Sequence, residues 1–108
     1  MIDIEEINDK ILIQDLLVTY GSLLTEKQES IMNLYYFSDL SLREVAQNKN
    51  ISYQAVRDSL MKSVKILKDY ESKLKINANK EIIESIVELL KTKEDSKIDE
   101  ALKILESL

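Results

Sequence analysis

The residues best suited to chemistry in this sequence are polar side chains spaced along one predicted helix. They fall on the outer face of that helix, or on its flank, when the chain is drawn as a helical wheel: Gln54, Arg57, Asp58, Met61, Lys62 and Lys65. A glutamine amide can pair with adenine, an arginine with guanine, and a carboxylate can accept from cytosine. Lysines at the next turns suit phosphate oxygens. The spacing therefore favours contact with a nucleic acid duplex.

Side-chain types that carry most enzyme catalysis are missing. The 108 residues include no Cys and no His, which removes thiolate nucleophiles, the commonest general base and the usual zinc ligands. A single glycine leaves no room for a phosphate-cradling loop. Adjacent acidic pairs such as Glu5 and Glu6 point in different directions on a helix, which is typical of solvated surface. The sequence predicts no enzyme, no cofactor and no metal site.

Composition predicts an all-α fold with one core of ordinary size. The chain is 44% hydrophobic and has no proline, and it is rich in the strong helix formers Leu, Lys and Glu. Its longest uncharged stretch, residues 16–25, is about half of what a membrane-spanning helix needs. The acidic start of the sequence is unlike a signal peptide. We expect no membrane span.

Charge is distributed unevenly along the chain. The formal net charge is −5, yet residues 41–68 contain six basic and two acidic side chains, a local sum of +4, so the rest carries −9. A basic segment inside an acidic protein indicates a partner for that segment better than the total charge does.

Capping signals divide the chain into helices. Thr25 with Gln28, and Ser41 with Glu44, have the spacing of capping boxes. They predict a second helix at Glu26 to Tyr36 and a third at about Leu42 to Asn48. Asn50 tolerates the left-handed conformation that a tight turn requires, and Ser52 then caps a fourth helix of roughly 20 residues.

Apolar periodicity predicts the remaining helices. The first covers about Asp3 to Leu23, with its early stripe at Ile4, Ile7 and Ile11. The stripe then widens to include Leu16, Leu17, Tyr20 and Leu23 or Leu24. A fifth, capped by Asn77 or Asn79, covers about Lys80 to Thr92, and Ser96 begins a sixth. We expect residues 1–74 to form the first domain. Residues 75–108 would pack as a helical pair on the same core or on a dimer partner.

The third and fourth helices, separated by a four-residue turn, form a helix-turn-helix pattern. Ala46 supplies the small residue needed where the two helices cross. Their small shared core is predicted to be Val45, Ile51, Val56 and Leu60. In such a motif the second helix enters the major groove, while the first lies across the phosphate backbone.

The stretch from Leu23 to Leu74 carries LTEKQ, LYY, SLxEVA, ISxQAVxD and DYExKL in that order. It resembles the helix-turn-helix proteins of the YlxM type and, more distantly, region 4 of bacterial sigma factors. The resemblance implies a cytoplasmic bacterial protein with a sigma-like motif that binds double-stranded DNA. Genes of this family commonly neighbour the gene for the protein subunit of the signal recognition particle, which implies a regulatory link to that pathway. The residues predicted to contact DNA are Ser41, Arg43, Ser52, Tyr53, Gln54, Arg57, Asp58, Met61, Lys62 and Lys65.

Two other functions fit the same sequence. The bundle could be a protein interaction module, or it could bind a structured RNA such as that of the signal recognition particle. We also expect a homodimer, because Leu67, Tyr70 and Leu74 lie beyond the helix-turn-helix core, and the fifth and sixth helices add apolar surface. Alternatively, these two helices fold back on the fourth helix of their own chain.

Overall fold

The computed structural model describes residues 9–92 and 95–108, and all regular structure in those ranges is helical. The predicted all-α fold is confirmed. The α-helices of this described part are α1 (Lys10–Tyr20), α2 (Glu26–Tyr36), α3 (Leu42–Lys49), α4 (Tyr53–Leu74), α5 (Ile76–Leu90) and α6 (Ser96–Glu106). A single turn of 3-10 helix, Gly21–Leu23, follows α1.

The chain divides into two compact units after Leu74. The N-terminal unit contains α1 to α4, and the C-terminal unit contains α5 and α6. The hydrophobic core lies entirely within the N-terminal unit.

Helix α4 is the central element of the N-terminal unit, because α1, α2 and α3 all pack against it. Its inner face is a stripe of four apolar side chains with no solvent exposure: Val56, Leu60, Val64 and Leu67. Steps of four, four and three residues keep such a stripe on one side of a helix. Burying each of these side chains stabilises the fold by roughly 1.5–3 kcal/mol.

Helix α1 packs on the core through the second half of the face that the sequence predicts. Residues 3–8, which include Ile4 and Ile7, lie outside the described residues. Ile11 is 75% exposed, so the predicted early stripe is wrong at this position. The predicted Leu16, Leu17 and Tyr20 are buried, together with Ile13, which was not predicted. The packing of α1 on α2 and α4 selects this face.

Helix α2 begins and ends where the sequence predicts. The Thr25 hydroxyl accepts from the Gln28 backbone N–H at 3.2 Å, and the Gln28 side chain accepts from the Thr25 N–H at 3.1 Å. This is the expected capping box. The apolar residues at helical spacing in the sequence, Ile31, Leu34 and Tyr35, predict its inner face. Ile31 is buried, whereas Leu34 and Tyr35 are half-buried.

Two buried residues of α2 were not predicted. Met32 and Tyr36 are almost completely buried. The Tyr36 ring packs edge-on against the ring of Tyr35, with the centroids 4.9 Å apart. Burial raises the pKa of the Tyr36 hydroxyl well above its usual range, which is consistent with a core position.

The far half of α4 is covered by α1 within the N-terminal unit, whereas a dimer partner or the two C-terminal helices were expected to cover it. The Tyr70 ring stacks on that of Tyr20 at a centroid distance of 6.0 Å. The Tyr20 hydroxyl donates to Glu71 Oε1 at 2.6 Å. These contacts tie α1 to α4 and enclose Leu67. Of the three residues expected to need a cover, Leu67, Tyr70 and Leu74, only Leu74 is more than half exposed, at the end of α4.

The C-terminal unit begins with a sharp turn at Lys75, whose φ of 53° lies in the left-handed region. Helix α5 starts directly after it, so the predicted start at Lys80 with an asparagine cap is wrong. Asn77 and Asn79, the predicted caps, lie in the first turn of α5 instead. Helix α6 starts at Ser96 as expected, and Asp95 caps it by accepting from the Lys97 N–H at 2.8 Å.

Helices α5 and α6 pack against each other, yet neither contains a buried residue. Ile82 and Leu89 are more than half exposed. A groove of about 760 Å³ lies in this unit, and its apolar lining includes Ile83, Val87 and Leu105. The C-terminal unit therefore presents apolar surface that its own two helices do not cover.

Candidate nucleic-acid interface

Helix α3 starts at a capping box, as predicted. The Ser41 hydroxyl accepts from the Glu44 N–H at 3.1 Å, and the Glu44 carboxylate accepts from the Ser41 N–H at 3.0 Å. These hydrogen bonds favour the ionised carboxylate and hold the pKa of Glu44 below its ordinary value. The helix extends to Lys49, one residue beyond the predicted end.

The turn between α3 and α4 has the geometry that the sequence predicts. Asn50 has φ 55° and ψ 46°, in the left-handed region. The Ile51 N–H donates to the Ala46 carbonyl at 3.0 Å, and the Asn50 N–H donates to the Gln47 carbonyl at 3.3 Å, which is a Schellman motif. The Ser52 hydroxyl then accepts from the Ala55 N–H at 3.0 Å and caps α4.

The two helices are held at a fixed separation by the small core predicted between them. Val45, Val56 and Leu60 have no solvent exposure, and Ala46 is 9% exposed. Ile51, in the turn, is half-buried and packs against the same core. The helix-turn-helix geometry is therefore present, and α4 has little freedom to move relative to α3.

Most of the residues predicted to contact DNA are exposed: Ser41, Arg43, Ser52, Tyr53, Gln54, Asp58, Lys62 and Lys65. Two differ. Met61, predicted on the outer face, is half-buried and packs against the core. Arg57 is also half-buried, and its Nε is buried without a hydrogen-bond partner.

Three exposed basic side chains of this surface form no ion pair in residues 9–92 and 95–108: Arg43, Lys62 and Lys65. An unpaired surface cation can bind a phosphate without first breaking an internal contact. These three side chains are therefore available to a polyanion.

A hydrogen bond that the sequence analysis missed joins two residues of the outer face. Gln54 Nε2 donates to Asp58 Oδ1 at 2.9 Å. The signal was present in the sequence, because glutamine and aspartate four residues apart on a helix commonly make this bond. It directs the two side chains towards each other in the unbound protein.

A second missed feature is a shallow pocket of about 350 Å³ beside the first turns of α4. Lys27, from the first turn of α2, and Lys62 both line it, together with Asp58 and the turn residue Ile51. Lys27 was not predicted to be part of the binding surface, because the position of the N-terminus of α2 beside α4 depends on tertiary packing. Lys27 therefore adds a further cation to this side of the unit.

The described residues hold no group of acidic side chains that could bind a metal ion. Among the helices in the described part of the chain, none is long and apolar enough to cross a membrane.

Comparison with known proteins extends the resemblance beyond the motif. The profile of a family described as "Putative helix-turn-helix protein, YlxM / p13 like" matches residues 7–106. The chain is 43% identical over 96 residues to a UPF0122 protein of Fusobacterium nucleatum, covering 89% of this chain and 91% of that protein. It is 40% identical over 94 residues to the UPF0122 protein YlxM of Bacillus subtilis, covering 82% and 86%. The similarity includes both units.

The capping box of α3 should make folding stability depend on acid. Because the folded-state pKa of Glu44 is lowered, its stabilising effect is complete above the unfolded value of 4.5 and is lost as pH falls. Glu44→Gln keeps an acceptor for the capping box but does not titrate. We expect its free energy of unfolding to fall less than that of the wild type between about pH 6 and about pH 3.5.

Urea unfolding at several pH values measures this difference. Glu26→Gln removes an exposed carboxylate of α2 and controls for the loss of one charge. Identical pH dependence in the wild type and Glu44→Gln would show that the carboxylate does not stabilise the start of α3.

Proposed function

We propose that this chain, which belongs to the YlxM / p13-like helix-turn-helix family, is a regulatory protein that binds double-stranded DNA. The binding surface comprises α3, the turn after it and the first three turns of α4. The observation that carries the proposal is the capped helix-turn-helix pair, whose outer face carries unpaired cations. The first half of α4 would enter the major groove.

Side chains on this surface divide into two groups by their chemistry. Gln54 and Arg57 lie in the first two turns of α4 and suit base edges. Arg43, Lys62 and Lys65 suit phosphates, which position the protein without reading sequence. This division matches a motif in which one end of α4 approaches the bases and the other helix crosses the backbone.

Electrostatics favour the same surface over the rest of the chain. The segment 41–68 carries +4 within a chain of net charge −5, so the remainder should face away from a polyanion. Repulsion between the DNA phosphates and the acidic remainder of the chain would orient the approaching protein.

The proposal also includes a bacterial cytoplasmic location and a link to the signal recognition particle, which are supported by the family resemblance alone. A protein interaction module is the competing function, and the uncovered apolar groove of the C-terminal unit favours it. A structured RNA is the third candidate partner. Binding to random duplex DNA, but not to random RNA, at low salt would support the DNA proposal over both.

We propose further that the protein pairs through its C-terminal unit. A single helix-turn-helix contacts few base pairs, and two-fold pairing lets such motifs span two half-sites. The exposed apolar residues of α5 and α6 supply a surface for this purpose. The far half of α4 takes little part, since Leu67 and Tyr70 are already packed within the chain.

The electrostatic contribution to DNA binding can be measured from its dependence on salt. If Arg43, Lys62 and Lys65 neutralise three phosphates, log affinity should fall with log salt at a slope of about −2.7. This corresponds to a loss of roughly 40-fold between 50 and 200 mM salt. The double variant Lys62→Ala, Lys65→Ala should have a slope of about −0.9.

A matched control is the double variant Lys97→Ala, Lys103→Ala, which makes the same change in net charge on exposed residues of α6. Its slope should equal that of the wild type. A wild-type slope near zero, or equal slopes for the two double variants, would contradict phosphate contact at α4.

Pairing can be measured by sedimentation equilibrium at micromolar concentration. We expect a mass of about twice 12.5 kDa. Leu89→Glu should return the mass to that of the monomer without unfolding the chain, because Leu89 is 70% exposed. Val18→Glu, at an equally exposed site on α1, should remain paired. A wild-type mass of 12.5 kDa would rule out the pairing.

A further inference from the structure

The hydrogen bond between Gln54 and Asp58 joins the first and second turns of α4, at the end proposed to approach the bases. An ionised carboxylate can only accept hydrogen bonds, so the amide nitrogen of Gln54 must face Asp58. The 2.9 Å distance from Nε2 to Oδ1 agrees with this orientation. The Gln54 amide is therefore held in one of its two possible orientations by its neighbour.

The atoms that this bond leaves free are mainly acceptors. The Gln54 carbonyl oxygen and the second Asp58 oxygen remain available, with one N–H of the amide. Both side chains are exposed, and no basic side chain in the described part of the chain forms a salt bridge with Asp58. The pair thus presents a small, acceptor-rich surface to anything that docks on α4.

An acceptor-rich surface distinguishes bases by their exocyclic groups in the major groove. Adenine N6 and cytosine N4 donate there, whereas guanine O6 and N7 and thymine O4 accept. Two acceptors brought together would leave both desolvated and unpaired, which is costly. Amino-bearing bases on the strand facing α4 are therefore favoured.

We infer that Gln54 and Asp58 act as one specificity unit that selects adenine or cytosine over guanine or thymine on the strand facing α4. This inference rests on the proposed function. The two residues are four apart on a helix, a rise of about 6 Å, so they reach neighbouring base pairs of that strand. Asp58 supplies selectivity by repulsion as well as by attraction, because its charge disfavours phosphates and base acceptors.

The test starts from duplexes that the wild-type protein selects from a random pool. The measured quantity is the specificity ratio, the affinity for a selected duplex divided by the affinity for random duplex at the same salt. Gln54→Ala and Asp58→Ala should each lower this ratio about tenfold. Asp58→Ala should also bind random duplex more tightly than the wild type does, because it removes a negative charge from the docking face.

The double variant tests whether the two residues act together. If the two residues form one unit, the specificity ratio of the double variant should fall about tenfold, as in each single variant. Independent residues would give about a hundredfold loss. Replacing the selected adenine by unsubstituted purine, or the cytosine by its analogue lacking the 4-amino group, should weaken the wild type. The same replacement should leave the double variant unaffected.

Asp69→Ala is a matched control. Asp69 is an exposed acidic residue eleven positions after Asp58 in α4. This spacing places Asp69 on the same face of the helix as Asp58, three turns away. It should leave the specificity ratio unchanged. Circular dichroism of each variant checks that the helices are retained.

Several results would overturn the inference while leaving the proposed function intact. The first is an unchanged specificity ratio in Asp58→Ala, and the second is a hundredfold loss of that ratio in the double variant. The third is a preference for guanine or thymine at the base positions where the variants lose selectivity. In each case the wild type still binds duplex with a steep salt dependence. Absence of duplex binding by the wild type would instead remove the proposed function, and this inference with it.

Discussion

The buried stripe of α4 is the interaction on which the rest of the structure depends. Val56, Leu60, Val64 and Leu67 are fully enclosed by three other helices. Because a helix has fixed periodicity, burying one face determines which residues lie on the opposite face. The core that stabilises the N-terminal unit therefore also sets the orientation of Gln54, Asp58 and Lys62 towards solvent. Fold and candidate site are specified by the same 22-residue helix.

The turn before α4 converts this packing into a defined docking end. A left-handed residue at Asn50, the Schellman hydrogen bonds and the Ser52 cap fix where α4 begins. With α3 held by Val45 and its own capping box, the start of α4 projects at a fixed position relative to the cations of both helices. Such rigidity is what base recognition requires, since hydrogen bonds to base edges tolerate little displacement.

Local features of the fold were predictable, and features that depend on distant contacts were not. Both capping boxes and the left-handed Asn50 were confirmed because each depends on residues within four positions. The exposure of Ile11 was missed because many hydrophobic residues of α1 compete for one face, and only the packing partner chooses between them. The enclosure of Tyr70 was missed for the same reason, since its partner Tyr20 lies 50 residues away in sequence. Of the site, the exposed face was predictable, whereas the half-burial of Met61 depended on its contact with the core.

The C-terminal unit shows that the protein is more than a helix-turn-helix. The family profile covers it almost to its end, and its uncovered apolar residues are suited to pairing. The most direct test of the central claim is a titration of ¹⁵N-labelled protein with a short DNA duplex, followed by amide chemical shifts. We predict shift changes concentrated in α3, the turn and the first three turns of α4. Changes centred on α1 or α5, or no changes at any residue, would contradict DNA binding by this surface.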